Sequence, residues 1–278
     1  MEGNACYKFS TIKNFIKKTK SKPIETIIDI GVNIGDTILL IHEYFPKARI
    51  FGIEPVKEYF DTAIKRTENV PNLTLFNMAF TAAHDFMDDL GAEPREETAA
   101  MVVLKGLPSS GVGWIGGSMV APAESEAAKK AVASHNYERL EQTIEPISLQ
   151  QFMERENLTE IDILKMDCEG CEHSTLGSAT PETLRRIRFI SGEYHGIARF
   201  SAIMQSKLFE THKVNLIGDS NLGAFFAERL DGEADGILRH DKSGMLVERP
   251  WLCDTPIEWH LFDPKYVLPE DRVWHSLT

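Results

Sequence analysis

No stretch of this chain approaches the ~20 consecutive apolar residues that a membrane-spanning helix needs, so no span is expected. The opening residues also lack an unbroken apolar core of the kind a secretory leader carries, because lysine interrupts each short apolar stretch. The chain therefore reads as cytoplasmic. Positive charge is short as well. Lys+Arg number 30 against 42 Asp+Glu, a net charge of −12, and such an excess repels phosphate backbones. Nucleic acid is not an expected partner. The one basic concentration, Lys8, Lys13, Lys17, Lys18, Lys20 and Lys22, reads as the solvated face of an N-terminal helix over 1–22. Cysteine is scarce, with four in the chain. Cys6 and Cys253 are isolated, so the C-x-x-C of Cys168 and Cys171 lacks the second pair of ligands that structural zinc takes. A thioredoxin-like pair at a strand-to-helix junction is an open alternative. Internal repeats are absent.

What is present is a length of 278 residues, 42% hydrophobic and 26% charged, which suits one α/β domain with insertions. Apolar, β-branched runs at 26–31, 49–54 and 73–79 predict buried parallel strands. They are separated by helical stretches from Asp36 to Phe45 and from Pro55 to about Asn69. That alternation predicts a doubly wound parallel sheet. Between Ala82 and Glu145 the rhythm fails. This insertion is expected to hold a strand at 100–105, a loop at 107–117 and a helix near 124–139. Order returns with strands at 161–167 and 187–194 separated by a helix from about Glu172 to Gly177. A helix around 201–211 and a strand at 214–218 follow, then a hairpin near 241–244 and an alternating edge strand at 257–262.

The residues suited to chemistry cluster at predicted strand ends, where ligands of open α/β sheets sit. At the first, Asp29-Ile30-Gly31-Val32-Asn33-Ile34-Gly35, the glycines allow close approach of a ligand and a tight helix start, and Asp29 and Asn33 supply polar groups. Asn33 stands where a pyrophosphate-binding turn has its second glycine, which argues against a dinucleotide. Glu54, ending the second strand, suits two ribose hydroxyls. With the first turn, it predicts an adenosine site. At the third strand end Met78 is expected to pack on the adenine and Asn77 to bond its edge. At the fourth, Lys165 either faces the crevice or makes a salt bridge that fixes the loop, and Asp167 is the better placed to face a cofactor or substrate. The fifth ends in Glu193, Tyr194 and His195, where His195 is a candidate base and Glu193 its orienting partner. Gly111-Val112-Gly113-Trp114-Ile115-Gly116 spells a dinucleotide fingerprint, but no strand leads into it and no helix follows. It reads as a loop, a candidate substrate lid over 107–120. No metal set is assigned, although Asp167, Glu169 and Glu193 lie close enough in the pattern to leave a divalent ion open.

With those residues placed, the chain resembles the FkbM family of methyltransferases. The matching pieces are 28–37, Phe51-Gly52-Ile53-Glu54-Pro55, Phe76-Asn77-Met78-Ala79, Ile163 to Gly170 with Glu172, and Glu193-Tyr194-His195. The most specific is Lys165-x-Asp167-x-Glu169-Gly170-x-Glu172. The resemblance implies a Rossmann-like class I methyltransferase fold: a seven-stranded, mostly parallel sheet with helices on both faces and an inserted lid or substrate segment. It also implies S-adenosylmethionine as cofactor and a small-molecule methyl acceptor, with oxygen of a secondary metabolite, sugar or lipid as the usual target. On that reading residues 26–80 and 146–218 bind cofactor, 82–145 and 219–278 meet substrate, and a homodimer is conceivable. Cys168 and Cys171 depart from the family pattern, which usually has small apolar residues there. The rival readings are an NAD-dependent oxidoreductase and a non-catalytic adenosyl-binding protein.

Overall fold

The computed structural model describes residue 9, residues 21–80, 101–106, 118–122, 129, 133, 137–140, 142, 144, 146–218 and 222–230. The first half runs β1 (Thr26–Ile30), α1 (Asp36–Tyr44), β2 (Arg49–Ile53), α2 (Lys57–Arg66), β3 (Leu73–Phe76) and β4 (Ala79–Phe80). Next come β5 (Met101–Gly106), β6 (Ser118–Pro122), β7 (Tyr137–Leu140), β8 (Pro146–Ile147) and α3 (Leu149–Arg155). The remainder is β9 (Ile161–Met166), α4 (Cys171–Ser178), α5 (Pro181–Leu184) and β10 (Ile187–His195). It ends with α6 (Ile197–Ile203), a π-helical turn (Met204–Leu208), β11 (His212–Gly218) and β12 (Leu222–Arg229).

The main sheet has seven strands in the order β11-β12-β10-β9-β1-β2-β3. The five from β3 to β10 are parallel, and β12 runs antiparallel to both its neighbours. Succession along the sheet reverses between β1 and β9, so their carboxyl ends open the crevice at a topological switch point. Side chains alternate across the sheet. Ile28, Ile30, Leu164 and Met166 join Phe152, Leu176 and Phe200 on one face. Ile27 and Ile163 join Ile38, Ile41 and Phe189 on the other. With both faces covered, all of β9 is buried, which is why its sequence is mostly apolar, with Asp162 and Lys165 as buried charges. α3 starts on a reciprocal cap, Ser148 accepting from the Gln151 N–H and the Gln151 side chain from the Ser148 N–H.

The insertion contains a three-stranded antiparallel sheet, order β6-β5-β7. The expected strand at 100–105 is β5. The helix expected near 124–139 is corrected at its end. Lys129 and Ala133 are helical, but Tyr137–Leu140 pairs with Val103–Gly106, and that ladder overrides the helix-forming composition. β4 and β8 pair in parallel, Ala79 with Pro146 and Phe80 with Ile147, so the insertion leaves and re-enters the core at one place.

The helix expected from 201 begins earlier, at Ile197, because Gly196 turns the chain with φ 80° directly after β10. The glycine-rich 111–116 stretch, the hairpin at 241–244 and the edge strand at 257–262 lie outside the described residues. So does most of the N-terminal helix expected over 1–22, of which Phe9 is helical and fully buried, edge-on to Phe45. Among the described residues no helix is long and apolar enough to cross a membrane.

Candidate active site

The turn after β1 winds through three left-handed residues, Gly31 (φ 84°), Asn33 (φ 53°) and Gly35 (φ 93°). Gly31 is required by its own protein. A Cβ there would stand 1.8 Å from the Asp167 carbonyl oxygen, so the close approach expected for a ligand is made by the chain leaving β9. Gly35 likewise lies against Thr67 and Ala63, where a Cβ would come within 2.9 Å of Thr67 Cγ2. Asn33 is a residue type that tolerates the left-handed region. Its N–H donates to Glu54 Oε2 at 2.8 Å, and its buried Oδ1 has no hydrogen-bond partner among the described residues.

Glu54 closes β2 and is 4% exposed. Its Oε1 accepts from the Val56 N–H at 2.8 Å. Burial pushes its carboxyl up to about 7, against the opposing pull of the Val56 and Asn33 N–H groups. Each carboxylate oxygen keeps a further lone pair for another donor. Behind it, Asn77 Nδ2 donates to the Glu54 and Pro55 carbonyls, both at 2.9 Å. Gln142, from the segment after β7, donates to the Pro55 carbonyl at 2.6 Å and accepts from the Lys57 N–H at 3.1 Å. Met78 belongs to the core, and Arg155 Nη2 donates to its sulfur at 3.4 Å. Both residues expected to meet the base thus have partners within the protein. The amide nitrogen of Asn77 is spent on the β2 turn, and Met78 is packing.

The same holds for Asp29. It is fully buried and pairs with Lys165 Nζ at 2.7 Å, and Lys165 also donates to the Gly31 carbonyl at 3.2 Å. Burial pulls Lys165 toward the neutral amine, but the charges of Asp29, Asp167 and Glu193 outweigh it and hold the ammonium. The salt-bridge alternative for Lys165 is the one realised, and the pair braces the turn from below.

Half-buried Asp167 anchors the crevice floor, its N–H on the Ile30 carbonyl at 3.0 Å. Glu193 is half-buried, and burial together with the charges of Asp167 and Glu169 raises its carboxyl to about 7. The His195 ring is held by Glu172 (Nδ1 to Oε1, 2.9 Å) and Glu169 (Nε2 to Oε2, 3.3 Å). Glu193 is not its orienting partner. Partial burial alone would lower the pKa of His195, but hydrogen bonds to Glu169 and Glu172 raise it to about 10. A ring held protonated at neutral pH has no lone pair to act as a base. Its stabilising effect is complete below about 6.5, the ordinary histidine value, and is lost as pH rises through about 10. Tyr194 turns away into the core, stacked on Phe200 at 5.5 Å.

Glu172 is the functional-site residue whose role the sequence left unassigned. Fully buried, it accepts from the His195 N–H and ring at 2.9 Å each and from the Gly170 N–H at 2.9 Å. Cys168 and Cys171, for which a thioredoxin-like pair was the open alternative, are joined in a disulfide. Among the described residues no group of three or more His, Cys, Asp or Glu is arranged to hold a metal ion.

The methyltransferase FkbM domain profile matches residues 29–219, which takes in the first turn, Glu54, β9 and β10. The chain belongs to the FkbM methyltransferase family. As a methyltransferase it is neither of the two rivals, oxidoreductase or non-catalytic binder. No curated protein matches the sequence.

Solved structures similar to this methyltransferase include an rRNA methylase from Streptococcus thermophilus, at 8% identity and TM-score 0.44, covering 83% of this chain and 99% of that one. A SAM-dependent methyltransferase from Aquifex aeolicus is 10% identical with TM-score 0.38, covering 81% and 92%. The plantazolicin methyltransferase in complex with SAH is 11% identical with TM-score 0.39, covering 80% and 82%.

Proposed function

We propose that this methyltransferase takes its methyl group from S-adenosylmethionine and delivers it to a hydroxyl or carboxylate oxygen of a small molecule such as a secondary metabolite, sugar or lipid. The observation that carries the reading is Glu54. It is a buried acid at the β2 end with spare lone pairs, and it accepts from the N–H of Asn33, whose Oδ1 has no hydrogen-bond partner among the described residues. Together they fit an adenosyl group, whose ribose hydroxyls need acceptors. The sulfonium of that cofactor supplies an electrophilic methyl. The chain's share of the work is then to align acceptor oxygen and methyl group, which supplies up to roughly 7–11 kcal/mol in the best intramolecular cases, and to move one proton. Glu193 fits the proton transfer, because its carboxyl titrates at about 7 and a base is most effective near the working pH. His195, two residues on at the same strand end, is paired with Glu169 and Glu172 and ties β10 to the turn before α4. Residues 82–145, which enter through β4 and leave through β8, are the part suited to choosing the acceptor.

Glu54→Gln is expected to weaken S-adenosylhomocysteine binding at least tenfold, since hydrogen bonds to a charged acceptor contribute roughly 1.5–3 kcal/mol. Isothermal titration of the folded variant is the measurement, and unchanged affinity would refute the assignment. NAD is expected to show no heat of binding.

The same carboxyl predicts a pH dependence. The ionised form accepts from hydroxyls, and at a pKa of about 7 it is half populated at neutral pH. Affinity for S-adenosylhomocysteine should therefore fall about tenfold per unit below pH 6 and level off above pH 8. The slope should vanish in Glu54→Gln. A slope that survives there belongs to another group.

A further inference from the structure

The disulfide between Cys168 and Cys171 joins the second residue past the β9 strand to the first residue of α4. Neither residue is fully buried. The ring it closes holds Glu169 and Gly170, both left-handed, with φ 52° and 103°. Glycine adopts that conformation freely, whereas a residue with a Cβ is disfavoured in it. The ring also touches both halves of the crevice. On one side, a Cβ built on Gly31 would lie 1.8 Å from the Asp167 oxygen and 3.4 Å from Cys168 Cα. On the other, Glu169 lies 3.3 Å from His195 Nε2, and the Gly170 N–H donates to Glu172.

We propose that Cys168–Cys171 is a redox-active site whose reaction partner is a dithiol, and that its oxidation state sets the affinity of the crevice for the adenosyl cofactor. This rests on the cofactor reading above. The dithiol's thiolate attacks the Cys168 sulfur, the S–S bond breaks, and Cys171 leaves as thiolate. Its place at the N-terminus of α4 favours that charge. The second thiol of the partner then displaces Cys168 and closes the partner's own disulfide. Two electrons and two protons pass to the cysteine pair, and the dithiol is oxidised by the same amount. With the ring open, nothing covalent holds Glu169 left-handed. Its relaxation draws the carboxylate off His195 and loosens the Asp167 backbone packed on Gly31. The bridged form is the tight binder.

The test uses the whole protein, air-oxidised or reduced with dithiothreitol, in buffer without denaturant. Iodoacetamide labelling read by peptide mass should modify Cys168 and Cys171 together, and only after reduction. Isothermal titration should then give S-adenosylhomocysteine at least fivefold weaker binding to the reduced protein. The Cys168→Ser/Cys171→Ser variant should bind as weakly as the reduced protein in either buffer. A bridge that resists dithiothreitol, equal or tighter binding by the reduced form, or a reductant effect that persists in the double variant would each overturn the proposal. Binding by neither form would overturn the cofactor reading and this inference with it, whereas equal binding by both overturns the redox site alone.

Discussion

Glu193→Gln is expected to lower turnover on a hydroxyl acceptor by about 10²–10⁴-fold, the usual contribution of a positioned base, while leaving S-adenosylhomocysteine affinity within about twofold. The carboxyl sits at the end of β10 with a pKa of about 7. Burial, then the charge of Asp167, disfavour its ionised form, and His195 and Lys165 pull the other way. Turnover should therefore rise with pH through about 7 and then level, and glutamine should erase that limb. His195→Ala should keep the limb but move it to higher pH, because the imidazolium that favours the ionised carboxylate is gone. On a carboxylate acceptor the nucleophile is ionised from the start, and Glu193→Gln should leave turnover nearly unchanged. Conversion of S-adenosylmethionine to S-adenosylhomocysteine against a panel of sugar, lipid and carboxylate acceptors measures both cases. At saturating S-adenosylmethionine, where the Glu54 titration no longer limits binding, a limb near pH 7 that persists in Glu193→Gln would remove this residue from the role.

Lys165→Ala is expected to cost about 3–5 kcal/mol of stability, the usual penalty for leaving one member of a buried ion pair alone. Lys165 and Asp29 side chains are 1% and 0% exposed, with Nζ and Oδ1 2.7 Å apart. Removing the ammonium strands a carboxylate that no water reaches, beneath the turn that carries Gly31. Replacing both members at once, Lys165→Met with Asp29→Leu, should recover most of the loss, because well-packed apolar groups often substitute for such pairs at little cost. Urea unfolding followed by circular dichroism gives both values. A loss under about 1 kcal/mol for Lys165→Ala would mean that the pair contributes little beyond its packing.

The central strands were legible because burial on both faces leaves them mostly apolar, as in Ile161 to Met166, where the two charged exceptions, Asp162 and Lys165, are buried too. Glu54 was legible for a related reason, since an acid closing such a strand must meet something. Less visible were residues whose partners are distant in sequence. Asp29 reads as a ligand group until Lys165 is seen beneath it, and His195 reads as a base until Glu172 reaches it from a helix beginning before it in the chain. Spacing alone does not distinguish a carboxylate that faces a cavity from one that faces an ammonium. The 137–140 strand was hidden by the helix-favouring alanines and glutamates before it. Only its partner, Val103 to Gly106, makes it a strand.

The two-residue pairing of β4 with β8 has a consequence for how this chain can change. Every residue from 81 to 145 enters and leaves through a doorway two rungs wide, Ala79 beside Pro146 and Phe80 beside Ile147. The closure entropy of a segment anchored at both ends grows slowly with its length, by only about 0.6 kcal/mol per doubling, and the seven strands of the main sheet lie outside the doorway. The segment also meets the core beyond that doorway, through Gln142 on the Pro55 carbonyl and the Lys57 N–H and through Val103, Leu140 and Ile144 packed with Val56 and Tyr59. A replacement of another length therefore leaves the sheet register alone but must keep those contacts if the turn behind Glu54 is to hold.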